Sequence, residues 1–168
     1  RVEGPRGGVV THSAPVGAAV DVGLDIATGF VGVMPSGAID VTGRGHRCQC
    51  AETCATANAS TNQLGGSHGG VGGGVTAPAP FGDLMAPTTL GLGGGYGNST
   101  NGPGGNGGSR VGIVADAIEL HGAIRADGTT GDVQPSGGGG GAGGSVFLDI
   151  GVLCGTSLIT ADGGAAVA

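Results

Sequence analysis

The densest run of reactive side chains in this 168-residue chain passes from His46 through Cys48, Cys50 and Glu52 to Cys54, with a fourth cysteine, Cys154, far downstream. One imidazole and three thiolates are a donor set that could hold zinc or copper, but the spacing is not that of a paired Cys-x-x-Cys framework. Disulfides are the expected state of Cys48, Cys50, Cys54 and Cys154. Four cysteines allow three pairings, and a Cys48–Cys50 bond would strain a two-residue link. Cys154 is therefore expected to pair with one of that couple while the other meets Cys54. A bridge closing a loop of roughly a hundred residues stabilises by about 4 kcal/mol in the chain-entropy account.

Other candidate chemistry is weaker. Gly102, Gly104 and Gly107 spell a dinucleotide fingerprint, yet no strand precedes it and no helix follows. A Walker phosphate loop needs a lysine, and the chain has none. Ser67 beside His68 lacks a nucleophile elbow and reads as part of a glycine loop. Asp21 with Asp25, or Asp116 with Glu119, could supply the two carboxylates of a polysaccharide-cleaving site. Solvent-facing strand positions explain these acids more simply. Asp127, Asp132 and Asp162 sit in glycine-aspartate turns, but the calcium-binding nonapeptide pattern is never completed. No catalytic residue, cofactor or metal ligand is assigned.

Composition limits what can position these groups. Glycine supplies 43 residues, with three Phe, one Tyr and no Trp, so a broad core of large side chains is excluded. The formal charge of −6 leaves nothing to neutralise a row of phosphates, so nucleic acid is not an expected partner. Asp21 and Asp25 interrupt the most apolar stretch, Ala18 to Met34, and no membrane span is expected. The chain starts at Arg1 and stops at Ala168, which reads as a piece of a longer protein. Two sequons, at Asn58 and Asn98, join the cysteines in pointing to a secreted, N-glycosylated protein.

Internal repetition supplies the architecture. Gly37-Ala38-Ile39-Asp40-Val41-Thr42-Gly43 returns as Gly122-Ala123-Ile124-Arg125-Ala126-Asp127-Gly128, and more loosely as Ser157-Leu158-Ile159-Thr160-Ala161-Asp162-Gly163. Strand alternation turns Ile39 and Val41, Ile124 and Ala126, and Ile159 and Ala161 inward. The later copies follow alternating stretches, Val111, Ile113 and Ala115 in one, Val146, Leu148 and Ile150 in the other. Ala115 to His121 is too short for a lone helix and reads as strand. Between the repeats some glycines fall three apart, as in Gly91, Gly94 and Gly97 or Gly102, Gly105 and Gly108. That period suits polyproline-II segments packed side by side; dense glycine also produces such triplets by chance.

The segment from 143 to 164 resembles a repeat of glycine-rich, β-helix-type extracellular proteins of protists, algae and bacteria, in which a Gly-Gly-Ser-hydrophobic strand leads into a Gly-Thr-Ile-Ser-Ala-Asn-Gly-like turn. Residues 65 to 70, then Phe81 to Leu84 and Leu90 to Gly97, are similar to the loop such proteins place between rungs. The resemblance implies an all-β fold: a single-stranded parallel β-helix, or solenoid, with long ordered glycine-rich loops. One such domain is expected over 1–168, with a Gly/Cys-rich insertion at 44–109. It further implies a structural subunit of an extracellular filament, surface hair or matrix layer, partnered by copies of itself and carrying covalent glycans. An adhesin or carbohydrate-binding stalk is the alternative, and a polysaccharide-cleaving enzyme comes third.

Overall fold

Alternating apolar residues build the strands, but the alternation of burial slips once in two of the three long ones, 24–33 and 110–120. In β5 (Arg110–Leu120) Val111, Ile113 and Ala115 are buried, and then Ile118 and Leu120. Asp116 and Ala117 both leave the core, so the inward face moves by one residue and the strand bends. The neighbouring strands β3 (Leu24–Val33) and β7 (Ser145–Cys154) pair on either side of the same point, through Thr28, Ala115 and Ile150, then Phe30, Ala117 and Val152. The bend is thus stacked through three strands. Of the stretch Ala115 to His121 expected as strand, Ala115 to Leu120 continue β5 and His121 lies just past its end.

The computed structural model describes residues 2–3, 7–13, 22–47, 63–74, 76–97, 102–132 and 137–165. The remaining strands are short: β1 (Val2–Glu3), β2 (Val9–Val10), β4 (Ala38–Asp40), β6 (Ala123–Arg125) and β8 (Leu158–Thr160). All pairing is parallel, in two four-stranded sheets ordered β1-β3-β5-β7 and β2-β4-β6-β8. Like residues stack along the register, Ile26 on Ile113 on Leu148 in one sheet and Ile39 on Ile124 on Ile159 in the other. The core between the sheets is narrow, centred on Ile113, Ile118, Ile124, Val41 and Val111. Ile39 and Ile124 are buried as expected, whereas Ile159, in the last turn, is 38% exposed, no further strand lying on it among the described residues.

The glycine-rich residues form a structure of their own. The N–H groups of Gly91, Gly94 and Gly97 donate to the carbonyls of Gly108, Gly105 and Gly102 at 2.8–2.9 Å. Those of Gly138, Gly141 and Gly144 donate to Asp132, Thr129 and Ala126 at 2.7–3.2 Å. A three-residue repeat of lateral hydrogen bonds, with none inside a segment, is the signature of the left-handed polyproline-II helix. Glycine is required by approach distance: a Cβ on Gly94 would fall on the Gly139 carbonyl, and one on Gly104 would fall on that of Gly94. The glycine triplets are therefore structural and not accidents of composition. Leu90 and Leu92, both buried, are large side chains placed at the start of this bundle.

The expected class, an all-β single-stranded parallel β-helix with glycine-rich loops, is corrected by these findings. The strands make two parallel sheets and not a coil walled by strands all round, and the residues joining β4 to β5 and β6 to β7 include a hydrogen-bonded glycine bundle in place of loops. The reason is physical. A strand wall needs inward side chains to meet across a core, and glycine has none to offer. Its bare backbone instead gains by lateral hydrogen bonding at a spacing no other residue tolerates. Among the described residues there is no helix.

The bundle makes a sharp contrast between glycines. A Cβ at Gly105 would collide with the Thr129 carbonyl, whereas one at Gly73 meets nothing within 4 Å. Gly105→Ala is expected to cost more than about 3 kcal/mol or to prevent folding. Gly73→Ala should shift stability by less than about 1 kcal/mol. Urea unfolding of the two variants checks this, and equal midpoints would contradict the bundle.

Candidate functional site

Two places stand apart from the closed interior, and both involve the last turn, residues 137–165. The first is its free edge. Among the described residues β7 and β8 pair with strands on one side only, β5 and β6. Val152 (57%), Leu153 (51%) and Leu158 (57%) are correspondingly exposed. At the opposite end β1 covers only Val31 and Gly32 of β3, and β2 leaves Val9 58% exposed. Parallel sheets are normally covered, and an exposed apolar edge is a template for another strand.

The second place is a groove of about 860 Å³ between the 65–87 segment and the last turn. His68 holds its wall in position. The ring is buried; its Nδ1 donates to the Gly144 carbonyl at 3.2 Å, because a carbonyl can only accept, and its Nε2 accepts from the Thr89 hydroxyl at 2.9 Å. Phe81 packs edge-on against it with ring centroids 5.2 Å apart, and the Phe81 N–H donates to the His68 carbonyl at 3.0 Å. Ser67, fully buried, donates to the Pro78 carbonyl at 2.5 Å and accepts the Gly72 N–H at 2.9 Å. Serine and histidine thus serve the wall separately, and each is occupied with loop contacts. On the rim Asp83 accepts the N–H groups of Met85 and Ala86, which hold its carboxyl below the usual carboxylate range.

The carboxylates singled out in the sequence are dispersed. Asp25 pairs with Arg110 on the outer face of the first sheet, and Glu119 with His121 at 3.0 Å. Asp116 is exposed on the outer face, and Glu119, likewise exposed, is turned to His121. Asp127 accepts from the Thr160 hydroxyl at 2.9 Å and from the Asp162 N–H at 2.8 Å, so it ties the β6 turn to the β8 turn. No group of three potential metal ligands occurs among the described residues. Cys154 ends β7 with an exposed thiol near the Ile118 carbonyl, and takes part in no disulfide among the described residues. Cys48, Cys50 and Cys54, the sequons at Asn58 and Asn98, and Asp21 lie outside the described residues. Sequence reasoning missed the groove altogether; its only trace was the three-residue glycine spacing. No protein-family profile, curated protein or solved structure matches the chain.

Burial lowers the pKa of His68 from its ordinary value of 6.5, with the carbonyls of Gly144 and Gly143 opposing the shift. The unfolded chain therefore takes up a proton that the folded chain refuses. The stabilisation that His68 gives is complete above its ordinary pKa and is lost as pH falls through the range below it. Unfolding free energies of the native chain and His68→Gln, compared from pH 8 to pH 5, should converge as the pH drops. A difference that stays constant or widens would show that the buried neutral ring is misassigned.

Proposed function

We propose that this chain is a structural subunit of an extracellular filament or matrix layer that adds copies of itself head to tail. The observation that carries the reading is the uncovered β7–β8 edge, with Val152, Leu153 and Leu158 in water. At the other end the side of β3 turned away from β5 has no strand partner from Leu24 to Phe30 among the described residues. Two unlike ends that each want a parallel neighbour meet heterologously, and such contacts propagate without closing. The stacking already inside the molecule, β3 on β5 on β7, supplies the geometry for one more addition.

Other features support the same reading. Among the described residues the carboxylates are either tied to neighbouring groups or spread over outer faces, which suits a scaffold better than a hydrolase. The four cysteines and the sequons at Asn58 and Asn98 favour an extracellular setting with attached glycans. The sequence resemblance to glycine-rich surface proteins points the same way.

Sedimentation of the 168-residue chain should show species that lengthen with concentration. Val152→Lys with Leu158→Lys places charge on the edge and should leave a monomer with an unchanged circular dichroism spectrum. A native chain that stays monomeric up to its solubility limit would overturn the proposal.

A further inference from the structure

Segment 137–144 is the axis of the glycine bundle. A polyproline-II helix turns by a third of a revolution per residue, so its backbone groups point in directions that repeat every three residues. The N–H groups of Gly138, Gly141 and Gly144 go to the 126–132 segment, and those of Gly139 and Ala142 go to Gly95 and Leu92. The carbonyls of Gly139 and Ala142 accept from Gly105 and Gly108, that of Gly140 from Gly66, and that of Gly141 from Gly164. Five segments surround the axis. The direction left over by the threefold turn lies between 63–66 and 161–164, and it belongs to the N–H groups of Gly140 and Gly143. Neither N–H has a hydrogen-bond partner among the described residues. The groove lies in that direction, and Gly66, Gly140, Gly143, Ala161 and Gly164 are among its lining.

We propose that this groove binds a separate polypeptide in the polyproline-II conformation, with glycine at every third residue. The bound segment runs antiparallel to 137–144, as the two segments already receiving N–H groups from this axis do. Its carbonyls at positions three apart accept from Gly140 and Gly143. Three residues of polyproline-II rise span about 9 Å, whereas a β-strand presents its alternate carbonyls at about 7 Å, so the donor spacing selects against strand addition. Glycine is needed on the face turned to the floor, for the same reason that a Cβ on Gly143 would fall on the Ala161 carbonyl. The other two faces can carry proline or apolar groups, because Phe81, Val71 and Leu84 line the opening, the last two 65% and 95% exposed. The site is independent of head-to-tail growth, which uses the edges of the sheets.

The test uses the Val152→Lys/Leu158→Lys chain, so that self-association does not intrude, and follows backbone amides by NMR while adding the nonapeptide (Gly-Ser-Pro)3. Saturable shifts at Gly140 and Gly143 are expected, with their hydrogen exchange slowed at least tenfold. The control (Ala-Ser-Pro)3 should bind at least tenfold more weakly. Gly73→Leu adds a side chain on the wall where nothing lies within 4 Å, and should abolish binding while the circular dichroism stays unchanged. Unmoved Gly140 and Gly143 amides at the highest soluble peptide concentration, equal binding of the control, or indifference to Gly73→Leu would each overturn the proposal.

Discussion

The structure depends on how closely two peptide backbones can approach when no Cβ stands between them. Along 91–97, 102–108 and 137–144 the contacts are backbone to backbone, and hydrogen bonds every third residue replace the side-chain packing that an ordinary domain relies on. Each such bond contributes only about 1 kcal/mol net, and each ordered glycine carries a high entropic cost. The arrangement holds because it is dense: the axis segment meets five others, so fixing one backbone satisfies several at once.

That lattice and the side-chain core support each other. The core is a narrow set of stacked columns such as Ile26–Ile113–Leu148 and could not by itself organise long returns between strands. The bundle carries those returns, and its register is locked to the sheets where they meet. Gly43 and Gly128 donate to Asp127 and Asp162 in the turns after β4 and β6, and Ser109, just before β5, donates to the Val41 carbonyl at 3.2 Å. His68 adds a polar pin from the 65–87 segment to Gly144, beside the start of β7. A neutral imidazole suits this role, since its one donor and one acceptor match the carbonyl and hydroxyl that face it.

Much of the strand layer was legible in the sequence. Repeats beginning at 37, 122 and 157 place Ile39, Ile124 and Ile159 in one column, and that is where they lie. The phase slip at Asp116–Ala117 was not legible, because a period-two pattern says nothing about where a strand bends. The closed β-helix failed for a related reason: periodicity reports where side chains point, and glycine points nowhere. The three-residue spacing was visible, but spacing alone cannot say which segment lies beside which. The groove depends on that pairing. Gly140 and Gly143 carry no side-chain chemistry, and only their place on the axis separates them from Gly139 and Gly141.

The two candidate surfaces follow from a single circumstance, the position of residues 137–165 at the margin of both packing systems. In the sheets, the margin exposes the edges of β7 and β8, and the growth proposed there would run along the stacking direction. In the bundle, the margin leaves the Gly140 and Gly143 N–H groups facing a groove, and the docking proposed there would come from the side, between the 65–73 wall and 161–164. A side-chain stack accepts strands with matching apolar columns, while a glycine lattice accepts a backbone of threefold period. The two demands differ in spacing, chemistry and direction, so the two proposed contacts, fibre growth through the sheets and docking of a glycine-rich chain on the bundle, call on separate surfaces of one subunit.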